Sequence, residues 1–147
     1  MGLQCLPDAQ AAASWLAARC QGRLRSDSRH LQAGDALLAW PGRRHDARAQ
    51  AQAALDAGAA AVLMEADGSH AFALLDARVA SLANLKQQAG AVASAFLGEP
   101  SRALQVVAIT GTNGKTSTTW WTAQALSLLG WRCGQVGTLG AGEWVPG

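Results

Sequence analysis

A glycine-rich turn late in the sequence carries residue types that could hold a polyphosphate. The stretch Gly-Thr-Asn-Gly-Lys-Thr-Ser at residues 111–117 follows an apolar run and precedes a helical pattern. Gly111 and Gly114 allow positive φ angles, so backbone N–H groups can come close to an anion. Lys115 supplies a mobile positive charge for β- and γ-phosphates, and the Thr116 hydroxyl is suited to binding Mg²⁺. The turn therefore predicts a polyphosphate site.

The glycines of this turn are spaced differently from those of the usual phosphate-binding loop. In the usual pattern, Gly-x-x-x-x-Gly-Lys-Ser/Thr, the first glycine would fall at Ile109. Gly111 stands nearer to Gly114 than that, so the loop is a shortened variant. A solvated turn before an amphipathic helix is the alternative. The strand before the turn, the helix after it and the Gly-Lys-Thr core favour the phosphate site.

A second set of polar residues lies in the N-terminal half, between residues 26 and 46. Its hydroxyl groups can hydrogen-bond a ligand, and its guanidinium groups can grip a diphosphate through paired hydrogen bonds. An ordinary solvated loop is the alternative for the cationic members, and the adjacent Asp-Ser-Arg segment favours binding. Asp27 and Arg29 are expected to pair or to cap, without a chemical role. The candidate binding residues are Ser26, Ser28, Arg43, Arg44 and His45.

The elements that must position these residues alternate between helix and strand. Apolar runs bounded by turn residues predict strands, and Asp or Ser before an apolar-periodic stretch predicts the start of a helix. The predicted strands are 34–40, 59–65 and 71–76, and the predicted helices begin after the N-caps Asp8, Asp46 and Ser81.

The pattern restarts after a Gly-Glu-Pro-Ser segment that resembles a linker. Residues 104–110 predict a buried parallel strand, 116–129 a helix and 132–140 a second strand. The predicted class is α/β: a small mixed α/β domain followed by the first β–α–β unit of a parallel-sheet nucleotide-binding domain. One such unit cannot cover both faces of its sheet, so we expect a truncated second domain. The predicted divisions are a domain at 1–98, a linker at 99–103 and the start of the second domain at 104–147.

The composition excludes several classes of protein. The chain has 147 residues, 50% of them hydrophobic and 15% charged, which favours a packed core over disorder. A net charge of +2 is too small to indicate a nucleic-acid partner. The sequence contains neither an apolar run long enough for membrane insertion nor a secretion signal. Its three cysteines are widely spaced and fit neither a disulfide framework nor a zinc site, so we expect a cytoplasmic protein.

The glycine-rich turn resembles the ATP-binding signature of the Mur ligase family, which includes the folylpolyglutamate synthetases. These enzymes use ATP to join an amine to a carboxylate through an acyl phosphate. The resemblance implies a substrate domain, a central ATPase and a C-terminal domain. It implies ATP and Mg²⁺ as cofactors, with Lys115 as the catalytic residue and Thr116 as the metal ligand. The ATP-binding residues that it implies are Gly111, Thr112, Asn113, Gly114, Lys115, Thr116 and Ser117.

Residues 26–48 resemble the uridine-diphosphate-binding segment of the Mur ligases that add the third amino acid of the peptidoglycan precursor. The family pattern is Asp-Ser-Arg, then Gly-Asp-x-Phe-x-Ala, then a Gly- and His/Arg-containing loop and Asp-Gly. This sequence departs from it at Leu37, where Phe is usual, and at Ala47, where Gly is usual. The resemblance implies that Ser26 and Ser28 hold the uridine end. It implies that Arg43, Arg44 and His45 approach the nucleotide-sugar.

The implied substrates are UDP-N-acetylmuramoyl-L-alanyl-D-glutamate and a diamino acid, commonly meso-diaminopimelate, although lysine stays open. Family members that add D-alanyl-D-alanine are one alternative, but they usually carry a run of asparagines where this sequence has Gln-Val-Gly-Thr-Leu-Gly. Folylpolyglutamate synthetases are a less favoured alternative, because they have no UDP-sugar domain before the loop. A module that binds a UDP-sugar without turnover is an alternative of another class, and we expect this chain alone to be inactive.

Overall fold

The computed structural model describes residues 3–72 and 74–144 of the chain. These residues belong to two compact units, Met1–Leu104 and Gln105–Gly147. Within the described ranges, no helix is both long enough and apolar enough to cross a membrane.

The first unit is built on a parallel five-stranded sheet with the strand order β1-β5-β4-β3-β2. All four strand pairings are parallel, with Leu37 opposite Val62 and Leu63 opposite Ala80 in the central part. The short apolar strands that the sequence predicts are typical of such a sheet, because helices cover both of its faces. The predicted α/β class is confirmed. The strands are β1 (Gln4–Leu6), β2 (Leu24–Arg25), β3 (Ala36–Ala39), β4 (Ala61–Glu65) and β5 (Val79–Leu82).

Three α-helices connect and follow these strands. They are α1 (Ala9–Ala17), α2 (Ala51–Asp56) and α3 (Leu85–Phe96). Asp8 caps α1 as predicted, because its carboxylate accepts a hydrogen bond from the N–H of Ala11 at 2.8 Å. Asp46 caps a 3-10 turn that leads directly into α2. Short 3-10 turns lie at Ser28–His30, Ala47–Gln50, Ser69–Phe72 and Pro100–Ala103.

The helices form one layer on each face of the sheet. Leu16 of α1 and Val92 of α3 are buried against one face, where they meet Leu63. Leu55 of α2 is buried against the other face, where it meets Met64. Successive strand residues point to opposite faces, so each strand contributes to both cores. Burying each of these large side chains stabilises the fold by about 1.5–3 kcal/mol.

The prediction of a strand at 71–76 is wrong. Ser69–Phe72 is a 3-10 turn, residues 74–76 form no strand, and Ala73 lies outside the described residues. The strand that forms instead is β5, a few residues later, and it pairs with β1 on one side and with β4 on the other. The predicted cap Ser81 lies inside β5, buried, where its hydroxyl donates to the carbonyl oxygen of Gln4 at 3.4 Å.

The α3 helix takes its cap from a neighbouring strand. The carboxylate of Glu65, at the end of β4, accepts the N–H of Asn84 at 2.9 Å and that of Leu85 at 2.7 Å. These N–H groups open the helix and have no partner within it. A carboxylate at a helix N-terminus also interacts favourably with the helix dipole. The start of α3 is therefore fixed by a residue that is distant in the sequence.

The second unit contains one helix and one hairpin among its described residues. They are α4 (Lys115–Leu128) and the antiparallel strands β6 (Gly134–Gly137) and β7 (Gly140–Glu143). The predicted helix is confirmed. The predicted strand at 104–110 does not form, and the predicted β–α–β arrangement is wrong for these residues, because β6 pairs with β7 instead. Val106 in the unformed strand is 74% exposed.

Candidate functional site

The predicted substrate residues of the first unit lie at one edge of its sheet. Because β2 and β3 are adjacent and parallel, their carboxyl ends meet at the same edge. Residues 26–28 follow β2, and residues 41–46 follow β3. Ligands of open α/β sheets commonly bind outside the carboxyl ends of the strands. The fold thus brings the two polar segments to one edge, and their binding role stays a prediction.

The segment after β3 is a tight loop closed at its neck. Pro41 and Asp46 form an isolated antiparallel bridge, and the N–H of Gly42 donates to the carbonyl oxygen of His45 at 2.9 Å. A Cβ at position 42 would lie only 2.7 Å from that oxygen, so the turn requires glycine. Arg43, Arg44 and His45 are exposed at the tip. Among the described residues, the side chains of the two arginines make no hydrogen bond or ion pair, so they are available to a ligand.

The segment after β2 begins with a local ion pair. The Asp27 carboxylate accepts the N–H of Arg29 at 3.0 Å and pairs with the Arg29 guanidinium at 2.6 Å. The hydrogen bond from Arg29 holds the pKa of Asp27 well below its ordinary value. Pairing and capping are what the sequence predicts for these two residues. Ser26 is exposed and Ser28 half-buried on either side of Asp27, so both hydroxyls lie beside a fixed turn.

Asp35 is a buried carboxylate that holds the β2–β3 connection together. It accepts the backbone N–H groups of Arg23 at 2.7 Å and Gln32 at 3.1 Å, and the Nε–H of Arg25 at 3.0 Å. These bonds, led by that from Arg23, lower the pKa of Asp35. The carboxylate thereby ties both ends of the segment that carries Ser28. In the sequence Asp35 stands out only as part of the Gly-Asp family pattern, and this role is not predicted from it.

The phosphate-loop candidate of the second unit ends on the first turn of α4. Gly114 is the N-cap with φ +76°, and no side chain caps the helix. The first backbone bond across this end runs from the N–H of Thr118 to the carbonyl oxygen of Gly114 at 2.8 Å. The earlier N–H groups of the turn therefore have no helical partner. Such a terminus stabilises an anion through its free donors and its dipole.

Lys115 lies folded over the loop. Its Nζ donates to the carbonyl oxygen of Gly111 at 2.5 Å and to that of Thr112 at 3.2 Å. With Thr116 it lines a cleft of about 140 Å³, whose far side is formed by the β6–β7 hairpin with Thr138. The other loop residues that the family resemblance implies are exposed: Thr112, Asn113 and Ser117.

These features fit a triphosphate with Mg²⁺. Gly111 has φ +147° and Gly114 has φ +76°, so both adopt the positive φ angles that the loop requires. Phosphate oxygens accept hydrogen bonds from an uncapped helix N-terminus and from an ammonium group, and the oxygen of a threonine hydroxyl can bind the metal. The roles of residues 111–117 in ATP binding stay predictions.

Sequence comparison finds relatives over most of the chain. The chain is 46% identical, over 95% of its length, to the UDP-N-acetylmuramoyl-L-alanyl-D-glutamate–2,6-diaminopimelate ligase of Acidovorax sp. (strain JS42). It is 52% identical, over 81% of its length, to the ligase of the same name from Pseudomonas aeruginosa. It spans 29% and 24% of these two proteins. No protein-family model matches the chain.

Comparison of structures agrees with the comparison of sequences. A solved structure of a UDP-N-acetylmuramoyl-L-alanyl-D-glutamate–2,6-diaminopimelate ligase superposes with a TM-score of 0.61 at 30% identity. The match covers 82% of this chain and 24% of that one. The family resemblance drawn from the loop and from residues 26–48 is therefore confirmed, and the chain belongs to the Mur ligase family.

Proposed function

We propose that the chain forms the nucleotide-sugar-binding and ATP-binding parts of a ligase that joins 2,6-diaminopimelate to UDP-N-acetylmuramoyl-L-alanyl-D-glutamate. The observation that carries this proposal is the 46% identity, over 95% of the chain, to a ligase of that name. The reaction is an ATP-dependent amide synthesis. The names of the relatives favour diaminopimelate over lysine and over D-alanyl-D-alanine as the added group.

The carboxyl edge of the first sheet is the proposed site for the nucleotide-sugar. Ser26 and Ser28 offer hydroxyls to the uridine, and Arg43 and Arg44 offer guanidinium groups to the diphosphate, with His45 beside them. Paired N–H donors match the geometry of phosphate oxygens. The exposed and uncommitted side chains at the loop tip support this assignment.

The loop at residues 111–117 is the proposed site for the phosphates of ATP. Lys115 would exchange the carbonyl oxygens of Gly111 and Thr112 for phosphate oxygens, and the free N–H groups of the first α4 turn would hold the anion. Thr116 would bind Mg²⁺ through its hydroxyl. ATP supplies the phosphoryl group that activates the substrate carboxylate. The contribution of the chain is to position that group and to neutralise its charge.

The proposed compartment is the cytoplasm. Cys5, Cys20 and Cys133 are all free thiols. Burial raises the pKa of the Cys20 thiol, which keeps it protonated and inert. Free thiols are typical of proteins in reducing compartments.

A module that binds the nucleotide-sugar without turnover is the second candidate function. Residues 3–104 have a buried core on each face of their own sheet, which favours an independently folded binding unit. One assay of the chain distinguishes these two candidate functions.

That assay combines titration with turnover. Calorimetric titration with UDP and with ATP–Mg²⁺ measures the two proposed sites separately, and phosphate release in the presence of all three substrates measures ligation. We expect binding of both nucleotides without phosphate release by the chain alone. Binding of UDP but not ATP would favour the binding module, and binding of neither would contradict the proposal.

A further inference from the structure

An Asp-x-Arg turn with one shared geometry occurs three times in the first unit. In each turn the Asp carboxylate accepts the N–H of the Arg two residues later and also pairs with its guanidinium. The N–H bonds measure 3.0, 3.0 and 2.8 Å, and the closest guanidinium contacts 2.6, 2.7 and 2.7 Å. The turns are Asp27-Ser28-Arg29, Asp46-Ala47-Arg48 and Asp76-Ala77-Arg78.

Arg48 differs from the other two arginines in its surroundings. Its side chain is 9% exposed, whereas that of Arg29 is 82% exposed and that of Arg78 is 44% exposed. Its Nη1 donates to the carbonyl oxygen of Asp67, beyond the end of β4, and its guanidinium lies over the ring of Phe72 at 4.8 Å. Arg48 thus joins the segments that follow two adjacent strands.

The partner of Arg48 is the residue that closes the cationic loop. Asp46 forms the neck of that loop through its bridge to Pro41. Both oxygens of Asp46 are engaged by the Arg48 guanidinium, Oδ1 by Nε at 3.0 Å and Oδ2 by Nη2 at 2.7 Å. A planar guanidinium that is paired, buried and stacked has little freedom to move. The neck is therefore fixed relative to β4, and the loop tip with Arg43 and Arg44 projects from a fixed base.

We propose that Arg48 is a positioning residue that sets the place of the Pro41–Asp46 loop at the carboxyl edge and so determines how tightly the chain holds a nucleoside diphosphate. The inference rests on the proposed nucleotide-sugar site. It assigns no ligand contact to Arg48 itself. Its effect passes through Asp46 to the arginines at the loop tip.

The substitution Arg48→Lys keeps the charge and removes the planar fork. The matched control is Arg78→Lys, which changes the same kind of turn just before β5. That turn lies at the amino ends of the strands, on the side of the sheet away from the proposed site. Amide NMR spectra of the free chain report the loop directly. We expect Arg48→Lys to move the amide resonances of residues 42–45, and Arg78→Lys to leave them in place. An unchanged loop spectrum in Arg48→Lys would overturn the proposal, whether or not a ligand binds.

UDP is the probe for the functional consequence. At a temperature where both variants are fully folded, we expect Arg48→Lys to raise the dissociation constant for UDP at least tenfold. We expect Arg78→Lys to change it less than twofold. A purely structural role would lower the melting temperature of Arg48→Lys without changing its UDP affinity, and that outcome would overturn the proposal. Failure of the unaltered chain to bind UDP would contradict the nucleotide-sugar site itself. The loop spectrum would still show whether Arg48 positions the loop.

Discussion

Lys115 donates a hydrogen bond through Nζ to the carbonyl oxygen of Gly111 at 2.5 Å. The ammonium group of the proposed ATP site is therefore bound to the backbone of its own loop. The ammonium group is held by backbone oxygens, with no carboxylate partner in the described part of the chain. A triphosphate offers full negative charge in place of these dipoles, and charge-assisted hydrogen bonds are stronger than neutral ones. Lys115 can therefore exchange the carbonyl oxygens of the loop for the oxygens of a bound anion.

Lys115→Ala tests this exchange. Loss of a hydrogen bond to a charged group costs about 1.5–3 kcal/mol, so ATP affinity should fall by about ten- to a hundredfold. Titration calorimetry of the chain with ATP–Mg²⁺ measures it. The matched control is Lys86→Ala on α3, in the other unit, which should bind ATP as the unaltered chain does. Equal affinity in Lys115→Ala would show that the loop is not the ATP site.

Asp35→Asn tests the buried carboxylate between β2 and β3. The change weakens bonds to two backbone N–H groups and to Arg25, and we expect a loss of about 1–3 kcal/mol in the free energy of unfolding. Urea titration at neutral pH measures the loss. Asp56→Asn, at an exposed position of α2, should change stability by less than about 0.5 kcal/mol.

The contribution of Asp35 should also depend on pH. Its pKa is lowered in the folded chain, so its stabilisation is fully present above the unfolded-state value of about 3.9 and is lost as pH falls through the folded-state pKa. The stability difference between the unaltered chain and Asp35→Asn should therefore shrink below about pH 4. A difference that stays constant from pH 7 to pH 3 would show that the charge of Asp35 does not stabilise the fold.

Gly22→Ala and Gly90→Ala should change stability in opposite directions. A Cβ at position 22 would lie 2.3 Å from Oδ1 of Asp35, so the substitution should destabilise the first unit by about 1–3 kcal/mol. A Cβ at position 90, inside α3, meets nothing within 4 Å, and alanine there should stabilise by about 0.5–1 kcal/mol. Thermal unfolding measures both changes. A neutral Gly22→Ala would mean that Asp35 can move without cost.

Hydrogen exchange should separate the two units. Leu37 and Val62 are fully buried in the sheet of the first unit, whereas Trp121 is 67% exposed and Leu129 is 75% exposed in the second unit. Few buried apolar contacts mean low local stability, so amides of residues 105–144 should exchange faster than those of β3 and β4. Strong, uniform protection across residues 115–136 in a dilute monomer would contradict this expectation.

Local sequence signals predicted the parts of the fold that depend on local chemistry. Asp8 was identifiable as a cap because a carboxylate before a helical pattern satisfies N–H groups of the first turn. Ala36–Ala39 and Ala61–Glu65 were identifiable as strands because both are short apolar runs bounded by turn residues. The helix after the glycine-rich loop was identifiable in the same way. These elements needed no knowledge of distant partners.

The wrong or missing predictions concern elements that distant residues determine. β1 has only three residues, and its strand character comes from pairing with β5. Ser81 resembles a helix cap in the sequence, but Glu65 caps α3 from a neighbouring strand. Residues 104–110 have a strand-like composition, and no strand in the described part of the chain pairs with them. Periodicity cannot identify such partners.

The candidate site shows the same division. Motif types indicated Lys115, Arg43 and Arg44, because glycine-rich turns and arginine loops have recognisable chemistry. The proposed role of Arg48 and the role of Asp35 depend on burial and on hydrogen bonds between segments that are separate in the sequence, which residue types alone do not disclose. The sequence signal for Arg48 was the recurring Asp-x-Arg spacing, and that for Asp35 was the Gly-Asp pair.

A ligase assay of a chimaera tests directly whether this chain can serve as the nucleotide-binding part of the ligase. The matching segment of the Acidovorax ligase, 46% identical, is replaced by this chain, and a second chimaera carries Lys115→Ala. The measurement is ATP-dependent formation of the amide between labelled diaminopimelate and UDP-N-acetylmuramoyl-L-alanyl-D-glutamate, after both chimaeras are shown to melt at the same temperature. We predict product from the first chimaera and at least a tenfold lower rate from the second. A folded first chimaera that forms no product, or equal rates from both, would contradict the assignment of this chain as the nucleotide-binding part of the ligase.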